Sequence, residues 1–269
     1  MSTSMRRWPI WQPPEPTPQQ EQRGLLWLIS GVGAGDWPLK WAYAAFRDAG
    51  VSGAIRIFRW QRPGCGPLNV VFHRDNRRRA ARLAEEIVQR ARLNPAAAVD
   101  LVGYSGGGGL ALFALEALPD DVRVRNVVLC QPAVSPTYDL TTALKRVRGQ
   151  TICYRAPGDW LILGLGTLLF GTLDRRHCIA AGNVGFRLER AIADPTLCAR
   201  FRQRAWRLEA LRGGGHWGGH LGTLGYRWNR RYVAPYLLAT GAGSAGPSSV
   251  SCPGGVPACP FDASSAGSC

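Results

Sequence analysis

The side chains needed for nucleophilic acyl transfer occur in this sequence in a suitable order and setting. Ser105 lies at the centre of G-Y-S-G-G, residues 103–107, Asp159 follows a Pro-Gly pair, and His216 and His220 lie in a glycine-rich stretch nearer the C-terminus. A serine hydroxyl is a weak nucleophile, so it needs a neutral imidazole within hydrogen-bond reach and a carboxylate that orients the imidazole. The candidate catalytic groups are therefore Ser105, Asp159 and either His216 or His220.

The segment around Ser105 changes from strand periodicity to helix periodicity. Residues 99–102 predict a short buried strand, and the apolar residues of 110–118 recur at helical spacing until Pro119. The glycines allow a sharp turn that would expose the Ser105 hydroxyl above the strand end. The following helix would direct free N–H groups and its positive dipole end at that hydroxyl. The alternative is a glycine-rich turn that binds a phosphate or no ligand.

Predicted strands and helices alternate along most of the chain. The predicted strands are 24–30, 54–60, 99–102, 124–130, 150–154 and 206–211, and the predicted helices are 38–48, 77–93, 110–118, 140–147 and 226–238. This alternation predicts an α/β fold with a mostly parallel central sheet of about six strands and helices on both faces.

Composition divides the 269 residues into one domain and two tails. A hydrophobic content of 46% suffices for one core, which we assign to residues 23–239. Residues 1–22, rich in Pro and Gln, are expected to form an extended tail, and residues 240–269, rich in Gly, Ser and Pro, a disordered one. The N-terminus lacks the apolar stretch of a secretory signal, so we expect a cytoplasmic protein.

The apolar run at 161–173 is too short to span a membrane. It predicts a helix under or beside the site of Asp159. If it were exposed, it would suit a membrane surface or an apolar substrate.

The charge balance is strongly basic, with 33 Lys and Arg against 18 Asp and Glu and a net charge of +15. Such a charge favours anionic partners. Most of the basic residues are arginines scattered through predicted helices, and no recognisable nucleic-acid module accompanies them, so we expect no specific nucleic-acid partner. The eight cysteines include no C-x-x-C pair, so we expect no metal site and no cofactor.

The order of elbow serine, acid after a later strand and histidine after the last strand resembles the α/β-hydrolase fold superfamily over residues 24–238. With no long insertion between 130 and 150, the sequence is similar to members without a large cap domain. The resemblance implies a serine hydrolase that cleaves carboxylic esters or thioesters of small molecules through an acyl-enzyme intermediate. Ser105 would be the nucleophile, with an oxyanion hole formed by the backbone N–H groups of Gly106 and Val32.

The resemblance also bears on the histidine. His216 directly follows the predicted last strand, but the ending G-H-x-G-G-H is similar to cap-less bacterial hydrolases in which the second histidine acts, which favours His220 slightly. Asp139 and Asp174 compete with Asp159 as the acid, although Asp139 suits a helix cap. The alternative function is a non-catalytic binding protein of the same fold whose basic surface meets an anionic partner.

Overall fold

The structure is a computed structural model that describes residues 11–33 and 37–238. Within these residues six strands form one fully parallel sheet in the order β2-β1-β3-β4-β5-β6. The strands are β1 (Gly24–Ile29), β2 (Ala54–Phe58), β3 (Ala98–Tyr104), β4 (Val127–Cys130), β5 (Thr151–Arg155) and β6 (Phe201–Ala205). The predicted α/β class and six-stranded parallel sheet are confirmed.

Helices cover both faces of this sheet. The α-helices are α1 (Pro18–Arg23), α2 (Leu39–Asp48), α3 (His73–Leu93), α4 (Gly106–Glu116), α5 (Thr141–Lys145), α6 (Thr167–Phe170), α7 (Ala181–Val184), α8 (Leu188–Ala191), α9 (Leu208–Gly214), α10 (Tyr226–Trp228) and α11 (Ala234–Leu238). Short 3₁₀ segments lie at Gly66–Val71, Pro195–Arg200 and His220–Leu224, and π-helical segments at Trp160–Gly166 and Asn229–Val233.

The sheet separates two apolar cores. Because side chains alternate along a strand, Trp27 and Ile29 of β1 pack with α3 and α4, whereas Leu26 and Leu28 pack with α2 and α11. A strand buried on both faces needs apolar residues at every position, and β1 is a continuous apolar run.

The strand order reverses between β1 and β3. From β1 the chain proceeds outward to β2, then returns to β3 on the other side of β1 and continues to β6. The helix that follows β1, α2, lies on one face, and the helix that follows β3, α4, lies on the other. The loops that follow β1 and β3 therefore diverge and leave a crevice at the carboxyl ends of these strands, where proteins of this architecture bind ligands.

The prediction of an extended tail up to residue 22 is wrong for residues 18–22, which belong to α1. Thr17 and Gln20 cap this helix reciprocally, and Pro18 begins it. Glu21 then forms ion pairs with Arg56 at 2.9 Å and Arg90 at 3.0 Å. Local capping therefore defines a helix in a segment whose overall composition favours an extended chain. The tail residues 1–10 and 239–269 lie outside the described residues.

The predicted strand at 206–211 is also wrong. The last strand, β6, lies just before it at Phe201–Ala205, and Leu208–Gly214 forms α9 instead. Among the described residues β6 pairs only with β5, and its alternate residues are exposed, so it has the polar sequence FRQRA and lacks the apolar signal of an inner strand. As a consequence, α9 separates the last strand from His216.

Residues 131–150, between β4 and β5, form one short helix, α5, in agreement with a fold without a large cap. No helix among the described residues is long and apolar enough to cross a membrane.

Candidate active site

Ser105 forms a strained elbow between β3 and α4. Its backbone φ of 54° and ψ of −121° lie in a region that residues with a Cβ rarely adopt. Its N–H donates to the carbonyl of Cys130 at 2.8 Å, and its own carbonyl accepts from Gly108 and Ala133. These bonds fix the backbone, whereas the Oγ atom makes no hydrogen bond to a described residue, including His220, whose ring is bonded to Asp159. Such strain costs about 1 to 3 kcal/mol and is found most often at functional sites.

The elbow requires glycine at the start of α4. A Cβ at Gly107 would overlap the carbonyl oxygens of Ile29 and Ser30, and a Cβ at Gly106 would overlap Val32. The close approach of α4 to the end of β1 therefore explains why glycines follow Ser105.

Asp159 and His220 form the acid and imidazole pair of the site. Asp159 is buried, and its Oδ2 contacts Nδ1 of His220. Its Oδ1 accepts a 3.4 Å hydrogen bond from the N–H of Leu163, so Asp159 also caps the π-helical segment that follows it. The carboxylate therefore serves both as a helix cap and as a partner of the imidazole.

The contact with Asp159 determines how His220 can act. An ionised carboxylate accepts hydrogen bonds, so the proton of the neutral ring must lie on Nδ1, which leaves Nε2 as an acceptor. The side chain is 15% exposed. An imidazole in this state can take a proton at Nε2 while Asp159 stabilises the resulting cation.

His216 has a different environment from His220. Its Nδ1 accepts a 2.9 Å hydrogen bond from the N–H of Gly218, and its ring lies against Trp206 and Trp228. A Cβ at Gly222 would overlap the ring. Burial lowers the pKa of His216 to about 4. The structure therefore pairs His220, and not His216, with Asp159, and His216 is a neutral packing residue.

Gln131 links the acid to its surroundings. It directly follows β4, has a positive φ of 52° and is buried. Its amide nitrogen donates to Oδ2 of Asp159 at 3.2 Å, and its amide oxygen accepts from the hydroxyl of Thr223 at 3.0 Å. Gln131 thus holds the carboxylate and the segment that carries His220 in one network. Gln131 was not among the predicted site residues, although a lone polar residue directly after a buried strand was a signal for it.

The loop after β1 lies against the elbow. A Cβ at Gly31 would lie 3.2 Å from Cβ of Ser105. The carbonyl of Gly31 accepts a hydrogen bond from the Gln61 side chain, and the carbonyl of Val32 accepts one from Asn69 at 3.2 Å. Gln61 and Asn69 were also absent from the predicted site residues, because both lie between the predicted strand 54–60 and the predicted helix 77–93, where no element was predicted.

These bonds orient the backbone N–H of Val32. In a trans peptide the N–H points opposite to the preceding carbonyl, so Gln61, by holding the carbonyl of Gly31, directs the N–H of Val32 to the other side. Gly106 is the first residue of α4, so its N–H has no acceptor within the helix. Neither of these two N–H groups donates a hydrogen bond to a described residue.

The other candidate acids, Asp139 and Asp174, and the two remaining histidines of the sequence have structural partners. Asp139 accepts a 2.8 Å hydrogen bond from the N–H of Thr141, the first residue of α5, and Asp174 accepts from the backbone and hydroxyl of Ser135. His73 and His177 lie near the carbonyls of Leu173 and Leu168, at 3.2 Å and 3.0 Å. Over the described ranges, no cluster of three or more His, Cys, Asp or Glu side chains could hold a metal ion.

The sheet brings the candidate residues to one edge. Ser105 follows β3, Gln131 follows β4 and Asp159 follows β5, and these three strands are adjacent and parallel. The ends of β3 and β5 are two strand spacings apart, about 10 Å. A Cβ atom added to Gly158 would lie 3.0 Å from the carbonyl oxygen of Gly218. The loop that carries His220 therefore packs closely against the loop that carries Asp159.

The sequence matches no protein-family profile and no curated protein. In structure, the chain is similar to lipase B of Aspergillus fumigatus, with a TM-score of 0.50 and 13% identity over 84% of this chain and 55% of the lipase. It is also similar to an extracellular α/β-hydrolase of a Paenibacillus species, with a TM-score of 0.45 and 13% identity over 80% of this chain and 97% of that one. A CIB-like hydrolase of Thermoplasma acidophilum gives a TM-score of 0.44 at 13% identity, over 80% of this chain and 85% of that one.

Proposed function

Because the chain has the α/β-hydrolase fold, we propose that it is a serine hydrolase that cleaves carboxylic esters or thioesters of small molecules. In this proposal Ser105 is the nucleophile, His220 the general base and acid, and Asp159 the group that orients His220. The observation that carries it is the pairing of the His220 imidazole with a buried carboxylate at the sheet edge where the strained Ser105 lies.

In the first half of the reaction, Ser105 Oγ attacks the carbonyl carbon of the substrate while His220 Nε2 takes the hydroxyl proton. The tetrahedral intermediate collapses when His220 gives this proton to the leaving alcohol or thiol, and the acyl group remains on Ser105. In the second half, water attacks the acyl group, His220 takes a proton from the water and returns it to Ser105, and the free acid leaves.

The oxyanion of each intermediate would be held by the backbone N–H groups of Val32 and Gly106. Both groups are without acceptors among the described residues, and the dipole of α4 adds positive potential at its first turn. Gln61 supports this role because its bond to Gly31 fixes the direction of the Val32 N–H.

Labelling with a fluorophosphonate probe tests the proposal. The wild type should form a covalent adduct on Ser105, and Ser105→Ala should form none. His220→Asn should slow labelling by about 10⁴-fold or more. His216→Asn is the matched control and should label at close to the wild-type rate, because the Asp159 carboxylate contacts the His220 ring, whereas the Nδ1 atom of His216 is bonded to the N–H of Gly218. A folded wild type that does not react, or a Ser105→Ala variant that still labels, would refute the proposal.

A basic cleft at the opposite edge of the sheet favours a second candidate function, the binding of an anionic partner. The cleft measures ≈ 810 Å³, and most of its lining residues are basic: Arg123, Lys145, Arg146, Arg148 and Arg200. Binding of a DNA duplex would support this function under three conditions. The binding should weaken with salt, be lost in Arg148→Glu/Arg200→Glu and persist in Ser105→Ala. Absence of such binding at low salt would exclude it.

A further inference from the structure

Large apolar side chains remain exposed around the candidate active site. In the segment 160–170, which contains the π-helical turn and α6, the exposed fraction is 76% for Leu161 and 64% for Leu169. Trp217 is 81% exposed and Leu221 66%. We name residues 160–170, Trp217 and Leu221 the apolar rim. A helix under or beside the site was predicted for most of this segment, but in its two helical stretches only Leu163, Gly164 and Thr167 are buried.

The apolar rim borders the acid and imidazole pair on both sides. Its first segment begins directly after Asp159, and Leu221 directly follows His220. The close approach of the backbone at Gly158 to the carbonyl of Gly218 brings these two parts of the rim together. The 3₁₀ segment Gly66–Val71, which also contacts α6, extends the apolar surface.

Exposure of this many large apolar groups costs free energy in water, because each would gain about 1.5 to 3 kcal/mol from full burial. The segment 157–173 contains one charged residue, Asp159, and its carboxylate is buried against His220. The surface of the segment is therefore apolar and without a compensating charge. Contiguous surfaces of this kind are typical of contact sites.

Exposed arginines flank the apolar rim in the sequence. Arg175 and Arg176 are exposed and follow the first segment of the rim, and the exposed Arg212 precedes Trp217. The whole chain has a net charge of +15. Leucines and tryptophans with flanking basic side chains have the composition of segments that bind the interface of anionic lipid layers.

We propose that the apolar rim binds the surface of an anionic lipid layer, and that the enzyme takes its ester from that layer. The second part rests on the proposed hydrolase function. In this arrangement the rim inserts its leucines at the headgroup boundary, Arg175, Arg176 and Arg212 lie among anionic headgroups, and the edge that holds Ser105 faces the lipid. A lipid ester then reaches Ser105 without crossing water.

A second copy of this chain is the competing occupant of the rim. Two observations disfavour it. Two chains that each have a net charge of +15 repel one another, whereas an anionic surface attracts each of them. A contact between copies through the rim would also close the sheet edge that holds Ser105 in each copy.

Binding to vesicles tests the lipid surface separately from catalysis. The full chain carrying Ser105→Ala is sedimented with vesicles of phosphatidylcholine that contain phosphatidylglycerol, and with vesicles of phosphatidylcholine alone. Binding should favour the anionic vesicles and weaken with salt. In the same background, Leu161→Ser/Leu169→Ser should lower the partition coefficient at least about 10-fold. Leu93→Ser is the matched control, because Leu93 is 73% exposed but lies at the end of α3, near the opposite edge of the sheet.

The outcomes separate the possible occupants. Equal partitioning of the rim variant and the control, or no binding of the parent chain to anionic vesicles, would overturn the proposal. The proposal would also be overturned if the wild type is a dimer that does not bind vesicles and the rim variant is a monomer. That result would assign the rim to a contact with a second copy of the chain.

Hydrolysis tests the second part. In the chain with Ser105 intact, the rim variant should keep the wild-type rate on a short water-soluble p-nitrophenyl ester and lose at least about 10-fold on a long-chain ester held in anionic vesicles. Equal losses on both substrates would refute lipid uptake. If the probe fails to label Ser105 while vesicle binding still depends on Leu161, the hydrolase function fails and the lipid surface stands.

Discussion

Replacing His216 with Asn should remove part of the acid sensitivity of the fold. His216 is buried between Trp206 and Trp228, and loss of water around its ring lowers its pKa to about 4, from 6.5 for a free side chain. Between pH 6.5 and pH 4 the unfolded chain therefore binds a proton at this residue that the folded chain does not. Acid favours the state that binds more protons, so the stability due to neutral His216 is complete above pH 6.5 and falls as the pH decreases.

The size of this effect follows from the two pKa values. Between pH 7.5 and pH 5, the difference in proton binding at His216 lowers the free energy of unfolding by about 2 kcal/mol, and the full loss near pH 4 is about 3 kcal/mol. Asn is a suitable replacement because its side-chain oxygen can take the place of Nδ1 as the acceptor for the N–H of Gly218. The variant should be less stable than the wild type at pH 7.5 because it loses ring packing, but it should lose less stability on acidification.

Urea unfolding followed by tryptophan fluorescence at pH 7.5 and pH 5 measures the two free energies. The wild type and the variant share all other ionisable groups. The difference between the pH dependences of their free energies of unfolding therefore reports on His216. A wild type and a variant that lose the same free energy between these pH values would refute the assignment of His216 as a neutral buried residue. Unchanged fluorophosphonate labelling of the variant at pH 7.5 would show that its site is intact.

Three further outcomes follow from the site. Ser105→Gly should be more stable than Ser105→Ala by about 1 to 2 kcal/mol in urea unfolding, because glycine relieves the strain at φ 54°; equal stabilities would contradict a strained elbow. Gln131→Ala should lower kcat about 10-fold with little change in KM, because Asp159 loses one hydrogen-bond donor. Gln131→Glu should move the acid limb of the pH profile of kcat/KM to higher pH, since a second carboxylate favours the imidazolium form of His220. An acid limb that does not move would assign Gln131 a purely structural role. Gly107→Ala should lower the free energy of unfolding by more than about 3 kcal/mol, because the new Cβ meets backbone oxygens. Gly219→Ala, which has open space around the new Cβ, should lower it by less than about 1 kcal/mol. Similar losses in the two variants would refute the close approach of α4 to β1.

The fold was predictable because its signals are local. Strands β1 and β4 are buried on both faces and are continuous apolar runs, and Pro and Gly mark the ends of several elements. The edge strand β6 lacked this signal because water covers part of it. The capped helix α1 was missed because two residues, Thr17 and Gln20, define it, and their effect is lost in the average composition of the tail.

The site was predictable as far as residue types in chain order allow. Ser105 and Asp159 were identified from a turn motif and from a carboxylate at a strand end, and both are features of the neighbouring sequence. The choice between His216 and His220 could not be made in this way, because both lie in the same glycine-rich stretch. The structure pairs His220 with Asp159 because Trp206, Trp228 and Gly222 enclose His216.

The sequence by itself therefore determined the α/β class, the elbow at Ser105 and the set of groups available for chemistry, since periodicity and turn residues act over a few positions along the chain. The tertiary structure alone decided which imidazole meets the carboxylate, that Gln131 holds that carboxylate, and that the apolar run after Asp159 lies open at the site. These features depend on contacts between segments far apart in the chain, and the free energy of each contact depends on which neighbours the packed sheet and helices bring together.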